Sequence, residues 1–250
     1  MFDLQGYGGL LMRGLWLTVK LFGVSLLFGL VFGLIGAACK VSKFAVLRYL
    51  SNFYTTVVRG IPELLFVFFV YFGGEQILRL ILSAFGYQRY VNISPFWAGV
   101  VALSVMFGAY ATEVFRMALG EIPKGQTEAA QSLGMKPWQT FFRIILPQMW
   151  IVALPGLGNL ALVLLKDTAL VSVIGLQDLM YYSARAAQST QQAFTFYLTA
   201  ALIYLGLTIV IMGAIAWLEY IANPAARYAK RMQKHTHHTD NTTNTMGAGS

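Results

Sequence analysis

Three acids and their basic neighbours carry whatever charge chemistry this chain has. Glu63, Glu113 and Asp167 lie in or beside long apolar runs, and each has a cation close in sequence. Arg59 precedes Glu63 by four residues, Arg116 follows Glu113 by three, and Lys166 directly precedes Asp167. Ionisable groups within apolar spans are costly and mark either solute paths or internal pairing. Both readings stand for these residues. Arg59, Glu63, Glu113, Asp167 and Thr168 are the candidate lining of a solute path, and mutual neutralisation of buried charge is the alternative. Arg59 and Glu63 have the spacing to pair along one helix face, with Pro62 distorting it. Asp167 also suits a cap for the segment that follows it.

Hydrolytic and metal chemistry find no support. The sequence holds no Ser/His/Asp constellation, no zinc-ligand spacing and no paired carboxylates of the kind acid–base catalysis uses, so no catalytic residue is assigned. Gly120–Thr127 superficially fits a phosphate-binding loop. Gln126 stands where the lysine belongs and no strand precedes it, so ATP hydrolysis by this chain is not expected. His235, His237 and His238 belong to a polar tail, and the pattern Asn92-Ile93-Ser94, which matches a glycosylation acceptor, is given no role. The lone Cys39 excludes an internal disulfide.

The elements that must position the charged residues are apolar. Hydrophobic residues make up 57 % of the chain and charged ones 11 %, with mean hydropathy +0.62. That charge deficit points to an integral membrane protein. Apolar runs fall near 21–39, 64–74, 95–111, 149–165 and 194–218, and a membrane helix needs roughly 20 such residues. We read five spans and an all-α polytopic fold over residues 1–229, with residues 230–250 as a basic to polar tail expected to be disordered. The second run is short and is expected to draw on 53–63. No cleavable signal peptide is expected.

Of the 18 Lys and Arg residues, twelve fall on one side of this topology and six on the other. The positive-inside rule then puts the N-terminus outside and the C-terminus in the cytoplasm. The net charge of +8 is thus topological and predicts no nucleic-acid partner.

Smaller signals refine the spans. Ser25, Gly29, Gly33 and Ala37 form a small-residue ridge, suited to close packing within one bundle or to a subunit interface. Pro62 and Pro155-Gly156 predict bends. Pro95 suits a first helical turn with Ser94 as its cap. Residues 166–193 are expected to be partly helical.

Between the third and fourth runs lies a polar, basic segment of about thirty residues. In it Thr127, Glu128, Ala129 and Ala130, with Leu133 on the same face, form a short helix. Gly134 ends that helix through a positive φ, Lys136 follows, and Ile144, Leu146 and Pro147 come next. A small-residue helix of this kind fits a groove in a partner.

The spacing EAA, Gly, I-x-LP closely resembles the loop by which membrane subunits of bacterial ABC importers grip their ATPase subunits. Val58–Leu64, Tyr110–Arg116 and Leu165–Gly175 look like signatures of the polar amino acid permease family. Pro147–Trp150 and Ala153–Asn159 resemble its arginine and histidine/lysine/arginine/ornithine branch. The match covers roughly residues 8–225.

The resemblance implies a five-span permease in the bacterial inner membrane, dimerising with itself or with a homologous subunit. It also implies two cytoplasmic ATPase subunits, which hold ATP and Mg, and an outer solute-binding protein. Transport would proceed by alternating access, with the ATPases acting through 127–136 and basic amino acids, arginine first, as substrate. Polar neutral amino acids such as glutamine are the alternative, and an ion-coupled carrier a more distant one. Many members carry a Glu directly after the Asn of span four, where this chain has Leu160; the family pattern thereby favours a second, different permease.

Overall fold

Glycine and alanine decide which two helices form the centre. The computed structural model describes residues 6–85 and 93–222. It comprises α1 (Gly8–Lys40), α2 (Ala45–Gly60), α3 (Glu63–Phe68), α4 (Gly74–Ala84), α5 (Pro95–Gly120), α6 (Lys124–Ser132), α7 (Pro137–Thr140), α8 (Leu146–Asp167), α9 (Leu179–Thr190) and α10 (Ala193–Ala222). Ser25, Gly29, Gly33 and Ala37 are all buried on α1 and face α5. A methyl group at Gly29 would lie 2.6 Å from Phe107, and one at Gly33 would lie 2.6 Å from the Cβ of Ala111. The missing side chains let the backbones approach until hydroxyls cross the gap. Ser104 Oγ donates to the Ser25 carbonyl at 3.2 Å, and Thr112 Oγ1 reaches the Gly33 carbonyl at 3.4 Å. The small-residue ridge therefore serves internal packing. Contact positions rise together along both helices, from Ser25 and Ser104 to Gly33 and Ala111, so α1 and α5 run parallel with one span between them.

Five helical segments are long and apolar enough to cross a membrane: Gly8–Lys40, Glu63–Ala84, Pro95–Gly120, Pro137–Ile174 and Ala193–Ala222. We call them spans one to five. Span two joins α3 and α4 through a π-helical turn, Phe69–Gly73. Its bounds correct the sequence expectation, because the length comes from residues up to Ala84 and not from 53–63. Pro62 is the reason. Its ring disfavours a helical conformation at the preceding residue, and Ile61 is extended, with φ −97° and ψ 134°. The helix is broken here and not merely bent, and α2 becomes a separate element packed on α1 and α5. Tyr54 Oη donates to the Val105 carbonyl at 2.6 Å, and Ser51 Oγ donates to that of Gly36 at 2.8 Å.

Span three begins at Pro95 as expected, but the Ser94 side chain makes no capping bond. Span four strings α7, a π-helical turn (Phe141–Ile145), α8 and a 3-10 segment (Thr168–Ile174) together. Helix α8 continues through Pro155. Residues 166–193 are partly helical, as predicted, but Asp167 makes no side-chain cap. Asp178 supplies the cap instead: its Oδ1 accepts from the Tyr181 amide at 2.9 Å and starts α9. Spans two and five are the least buried of the five, with 6 % of the most apolar stretch of each buried. The tail from 230 to 250, its histidines, Arg89 and Asn92 lie outside the described residues.

Candidate functional site

The first constellation is built on Glu113, about two turns from the end of α5 at Gly120. Lys40, the last residue of α1, forms an ion pair with Glu113 Oε1. Arg116 Nε donates to Oε2 at 2.8 Å, and Arg59 Nη1 lies 3.9 Å from Oε1. Arg59 also sits over the Tyr110 ring, 5.2 Å from its centre, an arrangement that attracts a cation to the ring face. Three cations thus converge on one carboxylate from α1, α2 and α5. Among the described residues Arg59 makes no ion pair with Glu63, which corrects the sequence expectation. The break at Ile61–Pro62 removes the shared helix face that an i,i+4 pair requires. Sequence proximity showed the Arg116 partner; Lys40, 73 residues away, gave no local signal.

Freed from Arg59, Glu63 starts α3, which packs against the 3-10 segment that follows Asp167. Asp167 borders a small cleft between α5 and α8, lined also by Leu103, Met106, Phe107, Tyr110, Leu160 and Leu164. Its volume of about 20 Å³ is the room of a single water, not of a solute. Thr168 is fully buried, and its hydroxyl donates to the Leu165 carbonyl at 2.6 Å. Of the predicted path residues, the structure places Asp167 on the wall of this cleft, with Thr168 buried behind it and Glu63 at the start of the neighbouring α3. Arg59 and Glu113 belong to the other cluster, which meets the cleft at Tyr110, the ring under Arg59 and a lining residue of the cleft.

The second candidate site lies at the end of the bundle where α6 joins spans three and four. Helix α6 closes through paired bonds: Met135 N to the Ala130 carbonyl at 3.1 Å and Gly134 N to that of Gln131 at 2.9 Å. Gly134 has φ +78°, the left-handed conformation such an ending needs. Gln148 Nε2 donates to Gln126 Oε1 at 2.6 Å, fastening the first turn of α6 to α8. Lys136 caps α7, its amide donating to Gln139 Oε1 at 2.9 Å. Ala130 is 2 % exposed and Leu133 is 83 % exposed, so the two do not share a face, contrary to the sequence expectation. Ala130 turns toward α7 and the π-helical turn, while Glu128, Ala129 and Leu133 face outward, with Thr127 half-buried. Trp138, 59 % exposed, shares this end of the bundle and was not singled out from sequence; its place just after Pro137 was the available signal.

Residues 29–220 match the family described as "Binding-protein-dependent transport system inner membrane component". The chain belongs to this family. The permease is 48 % identical over 223 residues to the nopaline transport system permease protein NocQ of Agrobacterium fabrum, covering 89 % of this chain and 94 % of that one. It is 42 % identical over 205 residues to the arginine ABC transporter permease protein ArtQ of Escherichia coli, covering 77 % and 86 % respectively. A crystal structure of an amino acid ABC transporter with histidines superposes with TM-score 0.74 at 33 % identity, over 88 % of this chain and 98 % of that one. The family and the five apolar spans make this a multi-pass membrane permease, and the α6 region falls within the matched residues.

Proposed function

We propose that this permease moves basic L-amino acids, arginine first, inward across the bacterial inner membrane by alternating access. The carrying observation is Asp167 on the wall of the α5–α8 cleft, with α3, which begins at Glu63, packed against the 3-10 segment that follows Asp167. Carboxylates within an apolar bundle are costly unless a cation compensates them. Arg59 is engaged by Glu113, and among the described residues neither Glu63 nor Asp167 forms an ion pair, with Lys166 or with any other cation. The cationic side chain of a passing solute fills that role, with Thr168 and Asp167 beyond it on the path. The arginine and histidine named for two of the similar proteins support this substrate class. Since the cleft here holds about 20 Å³, the solute requires the spans to separate.

In this reading two cytoplasmic ATPase subunits bind ATP and Mg, and this chain binds neither. Their closure is transmitted through Thr127, Glu128, Ala129, Leu133 and Lys136 on the outer face of α6, with Ala130 and Gly134 fixing its seat and its end. An outer solute-binding protein delivers substrate. The N-terminus lies outside and the C-terminus in the cytoplasm. Leu160 on the cleft wall leaves this subunit short of one acid, so a homologous but different second permease completes the pair.

The test is uptake of labelled arginine by the assembled complex with excess lysine, histidine or glutamine. Lysine and histidine compete in the proposed mechanism, and Glu63→Gln loses most arginine uptake. Competition by glutamine alone, or full arginine uptake by Glu63→Gln, overturns the assignment. Full uptake by this chain with only the ATPase and the binding protein overturns the requirement for a second permease.

A further inference from the structure

Span five packs on α8 and α9 near its start and is otherwise little buried, and its outer half is not smooth. Between it, the end of α8 and α9 lies a cavity of about 350 Å³, lined by Lys166, Ala169, Met180, Tyr197, Ala200, Ala201 and Tyr204. It exists because three alanines stand where larger side chains would fill the space. Tyr197 to Tyr204 is seven residues, so the cavity runs about 10 Å along α10, starting from the first turn of that helix. Its walls are apolar, and its polar groups are one ammonium and two phenols.

Lys166 is exposed on this face. Among the described residues it forms no salt bridge, all of those being centred on Glu113. Asp167, next in sequence, forms no ion pair with it and borders the α5–α8 cleft. Asp178, the other nearby acid, is wholly buried. A lysine on an outward face of a membrane bundle needs an anion or an escape to the interface. Here the cation stands beside an apolar cavity of about 350 Å³.

We propose that this cavity is a binding site for one anionic phospholipid, whose phosphodiester meets Lys166 and Tyr197 while an acyl chain lies over Ala169, Ala200 and Ala201. The site is separate from the proposed solute path and stands whether or not that reading holds. Charge selects the headgroup, and the alanines admit the chain.

The experiment reconstitutes the assembled complex in nanodiscs of phosphatidylcholine mixed with phosphatidylglycerol and counts the retained lipids by native mass spectrometry. The wild type keeps one phosphatidylglycerol in preference to phosphatidylcholine. Lys166→Gln reduces that preference about fivefold, the factor expected for one lysine facing an anionic lipid. Ala201→Phe leaves Lys166 in place but fills the cavity and loses the retained lipid of either kind, with subunit assembly intact. Equal retention in the wild type and both variants overturns the proposal. So does a crosslink from position 166 to an acid of the second permease, which would put a protein side chain in the cavity instead.

Discussion

Arg59 reaches across from α2 to Glu113 on α5, 3.9 Å away, and in doing so holds the element before span two against span three. Glu113 simultaneously anchors the end of span one through Lys40. Removing the carboxylate leaves three cations facing one another. Glu113→Gln is expected to destabilise the complex by roughly 1–3 kcal/mol, the exposure of Arg59 and Arg116 holding the loss below that of a fully buried pair. Arg116→Gln, at the exposed edge, costs less than about 1 kcal/mol. Thermal unfolding of the detergent-purified complex compares the two, and equal losses would show that Glu113 is no hub.

Gly134→Val imposes a β-branched side chain on a φ of +78°. No neighbouring atom lies within 4 Å of the added Cβ, so the effect is one of backbone strain alone, on the order of 1–3 kcal/mol. The α6 ending should loosen while membrane insertion survives. Co-purification of the ATPase subunit reads the consequence, and ordinary retention together with ordinary uptake would remove α6 from the coupling role.

Span one offers an internal comparison. Gly33→Leu drives a side chain into Ala111 and Phe115, whereas Gly23→Leu meets nothing within 4 Å. The first is expected to cost roughly 1–3 kcal/mol by overpacking, and the second to leave stability unchanged within about 0.5 kcal/mol. Aggregation onset on heating in detergent distinguishes them, and similar midpoints would place the α1–α5 contact elsewhere.

Burial pushes the Asp178 carboxyl up from its ordinary 3.8 to about 7. The folded protein then holds the proton that the unfolded chain releases first. Stability falls as pH rises from about 4 to about 7, and the penalty persists above that. Asp178→Asn keeps an acceptor for the Tyr181 amide and abolishes the titration. Its advantage over the wild type should grow by on the order of 2–3 kcal/mol between pH 5 and pH 8. Unfolding midpoints at the two pH values test this, and a constant difference would mean that Asp178 is ionised throughout.

Spans one, three, four and five were legible because long apolar runs are a property of the chain itself. Pro95 at a helix start, the small-residue ridge and the Gly134 ending were legible for the same local reason. What escaped depends on distant neighbours. Pro62 announced a disturbance, but whether it bends or severs a helix is settled by what α2 packs against, here Val105 and Gly36. Asp178 looked like one polar residue among several, and only its burial and its bond to Tyr181 mark it as the cap. The Lys40–Glu113 pair and the inward turn of Ala130 likewise follow from tertiary contacts that no periodicity encodes.

The parallel seam between α1 and α5 has a consequence for biosynthesis. The partner that Gly29, Gly33 and Gly36 are shaped for begins at Pro95, 55 residues after α1 ends at Lys40. At roughly 5–20 residues per second, the ribosome leaves the first span in the bilayer for several seconds before its mate emerges. Throughout that interval its glycine face borders lipid or the insertion machinery. Assembly of the permease therefore cannot proceed hairpin by hairpin in order of synthesis, and the third span must find the first after the second has already crossed.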